Sequence, residues 1–292
     1  MPESESEMQN PASDRGLLRE LFEVWNPLGL EGIFVLLRGY IDESYNEHVF
    51  TLSCLNAKGK TWDEFSRLWK ITLNTWNRKL QAQGRPTLSR YHTTDCSNFK
   101  REFRDWSKEE QREFFIDLVK VFSRHPMDAV SVSVNLDEFH RIIPEARRIA
   151  KPDFPTFLYG MTVKLLMGRI ADRYCIERPD TKITLVQEAC QYSANALDAF
   201  TQALNDPGFE HRECFVSFAS ATPTACIPLQ AADLLAYEFF KDSMRAINPR
   251  DRRASLEALM DLDTVGGRSQ FMSADAILSL KYALQLSGNL VV

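Results

Sequence analysis

The chain has 292 residues, 44% of them hydrophobic and 26% charged, with a formal net charge of −5. This is an ordinary globular composition with enough chain for a substantial core. No apolar run approaches the roughly 20 residues that span a bilayer, which argues against a membrane protein, and the negative balance gives no whole-molecule attraction for nucleic acid, although a local basic strip is compatible with it.

The opening "MPESESEMQNPASDRG" has neither the basic nor the apolar part of a secretion signal, so the cytoplasm is the expected compartment. Residues 1–14 are acidic and Ser-rich and are expected to form a disordered tail. "GIFVLLRGYI" and "HVFTLSCLNA" read as two strands joined at a polar corner that holds Asp42, Glu43 and Ser44. An acid there is either a turn residue or a ligand held by the sheet. Ser44 is expected to cap the turn.

"TWDEFSRLWKITLNTWNRKLQ" reads as a helix with Thr61 as N-cap and Trp62, Phe65, Trp69, Leu73, Trp76 and Leu80 along one face. So regular a stripe predicts core rather than a platform for stacked bases. "RYHTTDCSNF" follows, then a helix over Lys108–His125. "MDAVSVSVNL" alternates as a strand with one buried face does. Asp137, Glu138 and His140 after it read as a charged loop. "FPTFLYGMTVKLLMGRIADRYC" predicts a long helix, "TKITLVQEA" a strand, "YSANALDAFTQALND" a helix and "RECFVSFASA" a strand. "LQAADLLAYEFFKDSMRA" predicts a helix that is apolar around most of its circumference. Residues 248–292 are expected to be a helical extension packed on a domain of residues 15–247. Strands alternating with helices imply α/β, and the opening hairpin makes the sheet mixed, with helices flanking it. Six cysteines without a C-x-x-C pair, set in apolar surroundings, read as reduced core thiols rather than a zinc site.

Three carboxylates stand out. Asp233 lies among Leu229, Ala232, Leu234 and Leu235, where an unpaired charge is costly to bury. It either favours the helix macrodipole from the first turn or faces a partner, water or a cation. Glu188 ends a strand, where a solvated acid is ordinary. Together with Asp42, these acids are expected at one rim of the sheet, as a site for Mg²⁺ or Mn²⁺ requires. Paired ions of this kind activate water and stabilise the leaving oxygen in phosphodiester cleavage.

The combination of "YIDES", "HTTD" and "PLQAADLLAY" resembles the domain-of-unknown-function 3800 family over roughly residues 33–245. The resemblance implies a ribonuclease H-like fold, with acids on the first strand, an early helix, the end of a middle strand and a late helix. Asp42, Glu188 and Asp233 match the first, third and fourth places. The third is more often aspartate in that family, and no residue clearly fills the second. Glu43 joins the site only if its strand bends, because consecutive strand side chains point to opposite faces. His92 and Asp95 are the alternatives, with His92 suited to proton transfer or phosphate binding. The implied function is a divalent-metal-dependent nuclease or phosphodiester transferase; the competing expectation is a non-catalytic scaffold that binds nucleic acid or a protein. No P-loop, G-x-G-x-x-G or G-x-S-x-G motif is present, which disfavours P-loop nucleotide hydrolysis and serine esterase chemistry.

Overall fold

A computed structural model of the chain describes residues 36–144 and 153–286. The expected tail over residues 1–14, the first part of the expected domain and the last six residues lie outside this range. The strands are β1 (Leu36–Tyr45), β2 (Val49–Lys58), β3 (Met127–Asn135), β4 (Lys182–Glu188), β5 (Phe215–Ala221) and β6 (Val265–Phe271). The helices are α1 (Gly59–Ala82), α2 (Thr93–Ser97), α3 (Lys108–Phe122), α4 (Leu136–Ile142), α5 (Asp153–Tyr174), α6 (Ser193–Asn205), α7 (Pro228–Ser243), α8 (Ala254–Met260) and α9 (Ala274–Leu286).

One six-stranded mixed sheet runs in the order β5-β4-β1-β2-β3-β6. The β1–β2 and β2–β3 pairs are antiparallel, while β4, β5 and β6 join in parallel pairs. The β1–β2 turn comes later than the sequence implies. Asp42 is still in the ladder, opposite Ser53, and the corner is made by Asn46, whose Oδ1 accepts the backbone N–H groups of His48 and Val49 at 2.9 Å. Asp42 is therefore no turn residue, and the cap is Asn46 rather than Ser44.

The period-2 alternation of strands divides the core. Tyr40, Leu55, Ala57, Ala129 and Val186 face α1, α3 and α7 in an aromatic-rich cluster. Within it Trp62, Trp69 and Trp76 are all buried, as their spacing predicts. Residues of opposite parity meet α5, whose Tyr159 ring packs edge-on against Phe50, and α6 packs beside α5. Gly39 is the tightest point of β1: a Cβ there would lie 2.6 Å from both Asn56 Oδ1 and Cys54 Sγ.

Several expectations need correction. Helix α1 starts at Gly59 with Lys58 as its N-cap and no side-chain cap, so Thr61 lies inside the first turn. The serines of β3 do not face solvent. Ser131 and Ser133 are buried beneath α7, where Ser53 bonds Ser131 and Ser133 meets both Thr51 and Ser243 at 2.8 Å. Small hydroxyls that pair with one another meet the cost of burial. The charged segment after β3 is helix α4 rather than a loop, capped by Asn135 Oδ1 on the Glu138 N–H. The expected C-terminal helices are present as α8 and α9, but between them β6 adds an edge strand beside β3. All six cysteines are free thiols, four of them buried and Cys190 and Cys226 half-buried.

Candidate functional site

The carboxylates come together through strand register. In the parallel β1–β4 pair, Ile41 stands opposite Gln187, so the next residue on each strand is Asp42 and Glu188. Paired residues of parallel strands point to the same face. Tyr40, two residues before Asp42, packs against Trp62, which identifies that face as the one covered by α1 and α7. Helix α7 crosses β1 and β2 there and delivers Asp233. The rim lies at the carboxyl ends of β1 and β4. The chain leaves β4 for α6 on one face and leaves β5 for α7 on the other, the kind of crevice in which open α/β sheets bind ligands.

Asp233 is 8% exposed and occupies the sixth position of α7, beyond the first turn. The macrodipole effect has faded there, so that account does not explain it. Its Oδ2 accepts the Thr93 backbone N–H at 2.8 Å, holding the start of α2 against α7. Burial pushes Asp233 up to about 6, opposed by His92 and by the Thr93 N–H. Asp42 is held well above the usual carboxylate range by burial and then by Asp233, Glu43 and Glu188.

Glu43 points to the opposite face, as alternation requires. The Tyr159 hydroxyl lies 3.3 Å from both Glu43 Oε2 and Gln187 Oε1. One hydroxyl has one proton, so Tyr159 donates to only one of them at a time. Burial and then the Glu188 charge push Glu43 up to about 7. Glu43 is thus an electrostatic neighbour of the rim, and its side chain belongs to the α5 face.

Glu188 is not a bare strand-end acid. Its Oε1 lies 3.2 Å from Arg90 Nη1. His92 Nδ1 is 2.7 Å from Asp95 Oδ2, which also lies 3.4 Å from Arg101 Nε. Asp95 is therefore an orienting partner of His92, leaving His92 Nε2 outside that bond. The segment carrying Arg90 and His92 is pinned by Gln230. The Gln230 Oε1 accepts both Trp69 Nε1–H and the Tyr91 N–H, and its Nε2 donates to the Pro223 carbonyl. The Thr93 hydroxyl, buried beside Asp233 and Tyr91, forms a well-shaped hydrogen bond with neither.

The structure thus brings Asp42, Glu188 and Asp233 to one rim, with His92 beside Asp233 and Glu43 behind the sheet. Among the described residues, no three Asp, Glu, His or Cys side chains are already gathered round a metal-sized point. Sequence reasoning missed Arg90, Thr93, Tyr159 and Gln187. Arg90 immediately precedes the "YHTTD" segment, Thr93 lies within it, and Gln187 adjoins Glu188; only their long-range partners reveal them. The groove between α1 and α3, lined by Leu68, Thr72, Trp76 and Val121, contains none of these acids. No described helix is long and apolar enough to cross a membrane. Comparison of the chain with family models, with curated proteins and with solved structures gave no match.

Proposed function

We propose that this chain is a ribonuclease H-like protein, akin to the domain-of-unknown-function 3800 family, that uses Mg²⁺ or Mn²⁺ to cleave or transfer a phosphodiester of nucleic acid. The observation that carries the reading is the convergence at one rim of Asp42 from β1, Glu188 from the neighbouring parallel strand and Asp233 from the covering helix. These are the places on a first strand, a later strand end and a late helix that the resemblance implies.

The donor chemistry fits a hard cation, since every candidate ligand is a carboxylate oxygen. Buried acids that raise one another's affinity for protons are stabilised by any bound cation. A set of three protein ligands already in place is not required, because Mg²⁺ is commonly held by one or two carboxylates, several waters and substrate phosphate oxygens. Asp42 and Asp233 would hold the ion, and Glu188 would join them on leaving Arg90. When bound, the ion supplies activation of water and stabilisation of the leaving oxygen. Asp95 fixes the His92 ring through Nδ1, which suits His92 to move a proton at Nε2 or to contact phosphate. The backbone bond from Thr93 sets the orientation of Asp233 before any ligand arrives.

A second reading is a scaffold that keeps this fold and binds nucleic acid or a protein without catalysis. It is favoured by the protein partners that two of the acids have, Thr93 for Asp233 and Arg90 for Glu188. An assay of mixed DNA and RNA substrates with Mn²⁺ separates the two. The enzyme reading expects cleavage by the wild type and none by Asp42→Asn; equal absence of cleavage in both leaves the scaffold.

A further inference from the structure

Arg90 is held in an unusual setting. Its backbone lies between two anchored neighbours: Asn77 bonds the Leu88 N–H and carbonyl at 2.7 and 2.9 Å, and Gln230 takes the Tyr91 N–H. The position of the side chain's root is therefore fixed by two side-chain amides, the half-buried Asn77 and the buried Gln230, while the guanidinium itself reaches the rim. There it meets Glu188, with the two side chains 26% and 23% exposed. A half-buried pair held by a single 3.2 Å contact lies near the upper end of the roughly 0–1 kcal/mol of exposed pairs, so it can be exchanged for another partner. With its Oε1 engaged by Arg90, Glu188 does not close round a metal-sized point with Asp42 and Asp233. The buried Thr93 hydroxyl lies next to Asp233 without a hydrogen bond of good geometry, and an atom so placed is readily satisfied by water or a ligand. Arginine presents a planar fork that matches two phosphate oxygens, an arrangement a single carboxylate oxygen does not fill.

We propose that Arg90 is a phosphate-responsive latch on Glu188: without phosphate its guanidinium holds Glu188 away from the cation, and a substrate phosphodiester takes over the guanidinium and releases Glu188 to complete the site. The inference rests on the carboxylate rim being a cation site. It specifies the substrate as a ligand carrying a phosphodiester anion next to the metal, and it makes cation and substrate binding mutually reinforcing. By linkage, each must strengthen the other by the same factor. Arg90 is a positioning residue in this scheme as well as a phosphate contact.

The test is calorimetric titration of the full chain with Mn²⁺ alone, and with a phosphorothioate oligonucleotide in the presence of Mn²⁺. Wild type is compared with Arg90→Gln and Arg90→Lys, and with Arg67→Gln as a control for charge, since Arg67 is an exposed residue of α1 paired loosely with Glu64. The latch expects Arg90→Gln to bind Mn²⁺ alone more tightly than wild type, by up to about fivefold for a pair worth up to about 1 kcal/mol, and the oligonucleotide about tenfold more weakly, the scale of one charged hydrogen bond. Arg90→Lys keeps the charge without the fork and falls between them; Arg67→Gln matches wild type. If wild type and Arg90→Gln bind Mn²⁺ equally, or if the oligonucleotide does not discriminate between them, the latch is wrong and the cation site stands. If no protein binds Mn²⁺, with or without oligonucleotide, the cation site fails and the latch fails with it.

Discussion

Asp233 Oδ2 on α7 accepts the backbone N–H of Thr93, the first residue of α2, at 2.8 Å across 140 positions of sequence. The bond gives Asp233 a structural duty that is separable from its charge. Asp233→Asn keeps an oxygen acceptor for Thr93 and removes the repulsion with Asp42, so metal-free stability should hold or rise. Asp233→Ala leaves a buried N–H unpaired and should cost about 1–3 kcal/mol. Urea unfolding of both variants in EDTA checks this, and equal destabilisation by the two would show that the charge itself holds α2 in place.

The buried acids also set a pH dependence. Glu43 and Asp233 are raised to about 7 and about 6, above the range near 4 expected when unfolded. The native state therefore binds more protons than the unfolded state between pH 4 and pH 7. Stability is fully present below the unfolded value and is lost as pH rises through the folded values. Because the carboxyls interact, the loss belongs to the set rather than to one residue. In EDTA, stability should fall by roughly 2 kcal/mol or more over this interval. Glu43→Gln should flatten much of the slope. Glu110, held below the usual carboxylate range by Arg85, and Asp117, held below it despite partial burial by Lys120 and Trp76, contribute the opposite slope, so the contradicting result is an identical pH slope in wild type and Glu43→Gln.

Trp69 is fully buried, and its Nε1–H donates to Gln230, the residue that pins the Arg90 segment. Trp69→Ala should destabilise the fold by about 3–5 kcal/mol. The variant should unfold at markedly lower denaturant concentration. Unchanged stability together with weakened nucleic-acid binding would instead identify the tryptophan face as a base-stacking surface.

The elements with strong periodicity were legible in the sequence. The Trp62, Trp69 and Trp76 stripe needs only 3.6-residue spacing to declare itself as core. The shared rim of Asp42 and Glu188 follows from an acid near the end of one strand and an acid at the end of another, once the two pair in parallel. What stayed hidden depends on contacts far apart in the chain. Arg90 reads as an ordinary loop arginine until β4 places Glu188 against it. Glu43 and Gln187 gain meaning only when α5 brings Tyr159 between them. The β3 serines look solvent-facing because alternation reports polarity, and a polar face is buried when facing hydroxyls satisfy it. Strand β6, "VGGRSQF", carries two glycines, weak strand formers that are tolerated at an edge.

The central claim is that the carboxylate rim binds a divalent ion together with a phosphodiester. Its most direct test is the melting temperature of wild type and Asp42→Asn, each with millimolar Mn²⁺, with an oligonucleotide, and with both. Ligands that bind the native state raise its stability by mass action. The account predicts that Mn²⁺ and oligonucleotide together stabilise the wild type by more than the sum of their separate effects, and that Asp42→Asn loses this excess. An identical response of the two proteins would contradict it.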